Sequence, residues 1–274
     1  MSEDWNSALP SEVDFLAQYD FGCGRNGCVG LEDEQFVTSP DGTTVVARAD
    51  QVLARLASPG SHSCELSRAQ LENNTGAHRS VRGVVGDLMY RRRQASEAAA
   101  HFGLRLVTMP VGPADMPQDI TPNNERYAKM AEALKERGVL LPALRVTSLQ
   151  PNISCQGWSS LLECYNRLVE ALPRLMDMAE RSNGERMRLY GQVVEGFGFD
   201  PIPRTFASPR EMYRDACERG WVHDPSQYHP HIRIKVSTRS TPPIIEVRPF
   251  DAIGPAEDIS EVLDQVLSIA VFRF

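Results

Sequence analysis

No apolar run in this 274-residue sequence approaches the length that spans a bilayer. The opening Met1-Ser2-Glu3-Asp4 has neither the basic nor the apolar region of a signal peptide, so a cytoplasmic protein without a membrane partner is the expectation. CxxC pairs are absent too. The six cysteines (Cys23, Cys28, Cys64, Cys155, Cys164 and Cys217) read as reduced and structural, and no Cys/His pair has the spacing to complete a soft-metal site with Cys23 and Cys28. His62, His78, His101, His223, His229 and His231 form no HExxH or comparable ligand set and read as structural or surface residues. There is no basic stripe interleaved with aromatics, and a net charge of −7 argues against a nucleic-acid partner. No GxxxxGK[ST] sequence occurs, which argues against a Walker-type nucleotide site.

What is present is the composition of a soluble globular protein, 42% hydrophobic and 24% charged, long enough for a core of normal size. Without repeats, low-complexity tracts or a clear boundary, residues 1–274 read as one catalytic domain, with a flexible segment allowed for over 1–11. The organising stretch is Gly30-Leu31-Glu32-Asp33-Glu34-Gln35-Phe36, followed by Val37-Thr38, a Ser39-Pro40-Asp41-Gly42-Thr43 turn and Thr44-Val45-Val46, which together predict a hairpin. On a strand, Glu32 and Glu34 project to the same face. Crowded carboxylates repel unless protonated or bridged by a cation, and hard divalent ions such as Mg²⁺ take such oxygens. An ordinary solvated strand face is the other reading of that pair taken alone.

Along the chain, Glu12 to Tyr19 predicts a short helix with Val13, Leu16 and Ala17 inward. Gly22-Cys23-Gly24-Arg25-Asn26-Gly27 satisfies GxGxxG, but a helix precedes it and a strand follows, the reverse of a dinucleotide site, so it reads as a glycine loop. Asp50 is placed as the cap of a helix carrying Val52, Leu53 and Leu56 and ending near Ser58-Pro59-Gly60. Residues 63–72 read as extended with a bulge, and His78 to Phe102 as a helix in which Arg91-Arg92-Arg93 is a solvated face. Further helices are expected over 124–137, 158–181 with a break at Pro173, from Arg186, over 209–219 and over 258–272. Strands are expected over 104–109, 143–155, 232–238 and 244–250.

Four ordered segments resemble the glutamate–cysteine ligase superfamily, in particular its plant-like and actinobacterial branch and the bacterial carboxylate–amine ligases. Gly30 to Phe36 is similar to the family's G-x-E-x-E-x-F strand, and Glu65-Leu66-Ser67 with Glu72 to its second acidic segment. Gln150-Pro151-Asn152-Ile153-Ser154 resembles the Q-x-N or H-x-H strand. Ser237-Thr238-Arg239 through Glu246-Val247-Arg248 and Asp251 resembles the P-R/E-x-R/D ending. The resemblance implies an α+β, glutamine-synthetase-like fold, in which a curved antiparallel sheet forms a funnel with helices packed outside. It implies ATP-dependent joining of a small-molecule carboxylate to an amine through an acyl phosphate, with Mg²⁺ or Mn²⁺ as the metal. In that reading Glu32, Glu34, Glu65, Glu72 and Glu246 are the metal-ligand set, and Asn152 stands where relatives place a His or Asn beside a metal. Arg248 faces substrate carboxylate or transferring phosphate, Arg239 contacts nucleotide phosphate and Gln150 contacts substrate. The oligomeric state stays open, a homodimer included.

The departures matter. Pro151 cannot donate to a ladder, so its strand must be an edge, a bulge or locally irregular, and an amide at 152 is a weaker metal ligand than imidazole. Arg181-Ser182-Asn183-Gly184 replaces a small apolar helix end, so the metal–phosphate end looks retained and the substrate end altered. Two other classes compete: a catalytically weakened binder of a metabolite or nucleotide, and a small-molecule phosphotransferase.

Overall fold

A computed structural model describes residues 9–56, 60–178, 180–200, 202–223 and 229–271. Among the described residues eight strands form one antiparallel sheet: β1 (Cys28–Thr38), β2 (His62–Cys64), β3 (Gln70–Asn74), β4 (Arg105–Val107), β5 (Ser148–Ser154), β6 (Ile232–Lys235), β7 (Ile244–Val247) and β8 (Phe250–Asp251). The spatial order is β2-β3-β1-β5-β7-β6, with β4 also on β1 and β8 also on β5. The longest strand, β1, is therefore central, paired with β3 on one side and β5 on the other.

The two-residue period of a strand separates the faces. Val29 and Leu31 of β1, Leu149 and Ile153 of β5, Ile245 and Val247 of β7, and Ile232 and Ile234 of β6 share one apolar core. Helices α3 (Val81–His101), α6 (Trp158–Glu170) and α10 (Ala256–Ile269) cover that face with Val84, Leu88, Leu161, Leu168, Ile259 and Leu263 among others. The intervening positions (Glu32, Glu34, Glu72, Ser148, Gln150, Asn152, Arg233, Lys235 and Glu246) all fall on the opposite face. The register matches Glu34 to Glu72, Glu32 to Gln150, Asn152 to Glu246 and Arg233 to Glu246.

The other helices are α1 (Glu12–Ala17), α2 (Ala49–Arg55), α4 (Glu125–Glu136), α5 (Leu140–Arg145), α7 (Leu172–Met178), α8 (Glu185–Gly196) and α9 (Pro209–Arg219). Several local expectations are corrected. In α1, Val13 is exposed and Phe15 is the buried residue, because Phe15 packs against the Tyr19, Tyr213 and Trp221 rings. Asp50 does not cap α2; it lies in its first turn and pairs with Arg68 at 2.9 Å. Residues 140–145 are helical, so the strand expected from Ala143 begins at Ser148. Ser39–Thr44 does form a turn, but Val45 returns to β1 by a single bridge, and the real partners of β1 are distant in sequence. Arg92 is no surface residue: it is buried against Asp33 at 2.6 Å and donates to the carbonyls of Ile253 and Gly254. Ser58, Pro59 and Phe272 lie outside the described residues.

Pro151 sits on a central strand, opposite Leu31. Leu31 turns its backbone N–H and C=O to Thr75, away from β5, so the Pro151 nitrogen faces the other side. There the β5–β7 pairing stops at Asn152–Glu246 and β5 pairs again, with β8, at Leu149–Phe250, so the missing donor falls in the gap between two ladders. No helix among the described residues is long and apolar enough to cross a membrane.

Candidate active site

Glu34 and Glu72 face each other across β1 and β3, and Glu65 comes from the loop between β2 and β3. One carboxylate oxygen from each of these three lies within 4.8 Å of the others. Backbone and side-chain donors hold the ligands in place. Ser148 donates to Glu34 Oε2 from its N–H at 2.7 Å, and Gln150 Nε2 donates to Glu34 Oε1 at 2.6 Å. Ser63 and Asn74 both donate to Glu72 Oε1, at 2.6 and 2.8 Å. The Gln150 side-chain carbonyl is buried and has no partner. Hard oxygen donors crowded this closely, with a spare amide oxygen beside them, fit a Mg²⁺-like cation.

Burial pushes Glu34 up to about 7, with Glu72 adding to the rise and Arg248 opposing it. Burial and then Glu65 push Glu72 up to about 8, and burial and Glu34 also raise Glu65. No lysine or arginine forms an ion pair with Glu34, Glu65 or Glu72 among the described residues.

A second node occupies the same face two strands away. Glu246, fully buried, contacts Lys235 Nζ through Oε1 and receives Arg248 Nη1 on Oε2 at 3.0 Å, with Arg233 at 3.9 Å. Burial opposes ionisation of Glu246, but Arg248, Lys235 and Arg233 outweigh it and hold the carboxyl well below its ordinary range. Lys235 also reaches Glu32 Oε1 at 3.4 Å, and Asn152 Nδ2 donates to that oxygen at 3.1 Å. Burial, followed by repulsion from Glu246, pushes Glu32 up to about 7 although Lys235 pulls it down. Glu32 and Glu246 therefore share the acidic face, but a lysine stands between them. The Nε of Arg248 is buried without a partner; burial opposes the charge of this guanidinium, but Glu246, Tyr190 and Glu34 outweigh it and hold the side chain protonated.

Arg239 is elsewhere. It is exposed in the turn between β6 and β7, which packs on the glycine loop. A Cβ at Gly24, where φ is +65°, would come within 2.6 Å of the Ser240 carbonyl, so close backbone packing accounts for that glycine. Sequence reasoning missed Lys235, Arg233 and Ser148. The alternation Ile232-Arg233-Ile234-Lys235 contained the signal for the first two, since both cations fall on the face opposite the isoleucines. It also missed Arg186, fully buried, which donates to the carbonyls of Thr147, Arg248 and Pro249 and so joins the start of β5 to the β7–β8 break.

The profile of the family described as Glutamate-cysteine ligase family 2 matches residues 28–179. A relative from Rubrobacter xylanophilus, provisionally named glutamate–cysteine ligase 2-2, is 29% identical over 160 residues, covering 57% of this chain and 40% of the relative. One from Mycobacterium sp. (strain KMS) with the same provisional name is 27% identical over 261 residues, covering 89% and 66%. The matches thus span between two-fifths and two-thirds of these relatives' length. Among solved structures, a bifunctional glutathione synthetase from Pasteurella multocida aligns with a TM-score of 0.60 at 12% identity, covering 94% of this chain and 40% of that one. A glutamate–cysteine ligase from Francisella tularensis, in complex with AMP, gives 0.55 at 12% identity, covering 92% and 68%. At such identities the structural likeness speaks for the fold: α+β, with an open, curved antiparallel sheet and helices.

Proposed function

Because the chain belongs to glutamate–cysteine ligase family 2, we infer that the polar sheet face is the centre of an ATP-dependent ligase joining a small-molecule carboxylate to an amine. The observation that carries this reading is the division of one face into an unpaired acidic half, Glu34, Glu65 and Glu72, and a cationic half, Lys235, Arg233 and Arg248. That division suits a metal-bound polyphosphate lying across the sheet, with its negative end toward the arginines.

A carboxylate does not accept an amine at neutral pH, because its oxygen leaves poorly. Moving the γ-phosphoryl group onto it makes an acyl phosphate, and the amine then expels phosphate. Enzymes assist phosphoryl transfer chiefly by positioning and by neutralising charge. A divalent ion, if bound, would supply charge neutralisation for the transferring phosphate. Glu34, Glu65 and Glu72 would hold it, with the Gln150 carbonyl as a neighbouring oxygen. The free Nε of Arg248 offers a donor to a phosphoryl or carboxylate oxygen, while its Nη1 stays anchored on Glu246. Asn152 and Gln150 orient Glu32 and Glu34 through their amide N–H groups. Arg239, exposed in its turn, is left to a nucleotide that reaches over the β6–β7 edge.

Release of ADP, screened over a matrix of amino acids and amines with Mg²⁺ or Mn²⁺ and followed by mass spectrometry, tests this reading. An amide with ADP and phosphate is the expected product. A phosphorylated metabolite, AMP with pyrophosphate, or no turnover across the matrix would each displace it.

A further inference from the structure

Lys235 is the feature of this face that metal binding leaves unexplained. Its ammonium contacts Glu246 Oε1 and stands 3.4 Å from Glu32 Oε1, so one cation links two carboxylates on different strands. That is the bridging job assigned above to a divalent ion at Glu34, Glu65 and Glu72. We propose that Lys235 is a built-in cation filling the position of a second divalent ion between Glu32 and Glu246, so that the nucleotide-free protein binds one such ion per chain. The proposal rests on the metal assignment to Glu34, Glu65 and Glu72 made above.

Three observations support it. Glu246 already faces Lys235, Arg248 and Arg233, so a divalent ion there would meet three like charges. Glu34, Glu65 and Glu72 have no such pairing among the described residues, although Glu34 and Glu72 are buried as well. The Asn152 carbonyl, buried and without a partner beside Glu32, is the oxygen that a metal would gain were the lysine removed. A lysine also differs from a metal ion in being permanent: this part of the phosphate-facing surface is charged before any cofactor binds.

Mn²⁺ bound per chain, counted without nucleotide by equilibrium dialysis and by the electron paramagnetic resonance signal of free Mn²⁺, tests the proposal without requiring turnover. Wild type is expected to bind one ion, and Glu72→Gln none. Lys235→Ala should take a second ion, and Lys235→Ala/Glu246→Gln should return to one. Thermal melting confirms that each variant is folded. Lys235→Gln, which keeps a polar side chain against Glu246, gives the same comparison if the alanine variant does not fold. Two or more ions on wild type, or a single ion on a folded Lys235 variant, would overturn the proposal while leaving the metal assignment standing. No ion on wild type would overturn both.

Discussion

Asp33 and Glu34 are neighbours in sequence, and their carboxylates leave β1 on opposite faces. Asp33 enters the helix-facing core and pairs with Arg92 of α3 at 2.6 Å, while Glu34 joins the acidic cluster. Asn73 on the adjacent strand donates to Asp33 Oδ2 at 3.0 Å, so the buried carboxylate is held from two elements. One strand thus carries a structural ion pair and a candidate catalytic ligand one residue apart.

Asp33→Asn keeps the shape but leaves the Arg92 guanidinium uncompensated in the core. Breaking a buried pair from one side typically costs about 3–5 kcal/mol. Urea unfolding should show a loss of that order, whereas Mn²⁺ affinity of the folded fraction should change little. A variant as stable as wild type would remove the structural role assigned to the pair.

The acidic cluster should give the metal-free protein an unusual pH profile. Glu32 and Glu34 are pushed up to about 7 and Glu72 to about 8, chiefly by burial. A carboxyl whose folded value is raised stabilises the fold most below its unfolded value, and that stability is lost as pH rises through the folded value. His229 and His231, lowered by burial to about 4 and about 3, act in the opposite direction. Their contribution is complete once pH passes the unfolded histidine value of about 6.5. Between pH about 6.5 and 8 the carboxylates therefore dominate among these shifted groups, and Tm in EDTA should fall. Mg²⁺ should flatten that fall, because it binds the ionised form and its affinity rises over the same interval. A Tm that climbs across this window in EDTA contradicts the assignment.

Much of this was legible in the sequence, and the reasons for the remainder are physical. The E-x-E spacing on β1 specified a shared face, since the period of a strand is two whatever its neighbours. The glycine loop was correctly placed between a helix and a strand, α1 and β1. What could not be read was pairing across long separations. Arg92 looked like one of three solvated arginines because nothing local marks which of them meets Asp33, 59 residues away. Lys235 and Glu32 are 203 residues apart and meet only because β5 and β7 lie between their strands. Pro151 was legible as an irregularity, but where the interruption falls, between the β5–β7 and β5–β8 pairings, depends on strands distant in sequence.

Glu72→Gln removes one charge from the cluster and keeps the side chain's size. Turnover should fall about a hundredfold or more, the scale of losing a major electrostatic contributor at an active site. The metal-free protein should melt at a higher temperature than wild type at pH 8, because a buried repulsion has been relieved. Mg²⁺ should then raise its Tm less than it raises that of wild type. A variant that is slower but destabilised, with metal response intact, would place Glu72 in the scaffold rather than the site.

Arg248→Lys separates charge from geometry. Arg248 holds Glu246 through Nη1 at 3.0 Å and leaves Nε without a partner. A lysine can retain the ion pair, so folding should survive. It has no planar fork, however, and cannot hold Glu246 with one nitrogen while presenting another to a ligand in fixed orientation. Loss of one hydrogen bond to a charged group is worth about 1.5–3 kcal/mol, which corresponds to roughly ten- to a hundredfold in kcat/KM. Mn²⁺ binding at Glu34, Glu65 and Glu72 should be unaffected, because none of their direct hydrogen bonds involves Arg248. Steady-state kinetics for the acid substrate, run beside Mn²⁺ titration of the same preparation, makes the separation. Full activity in Arg248→Lys would show that charge alone suffices there and that the unpaired Nε is idle.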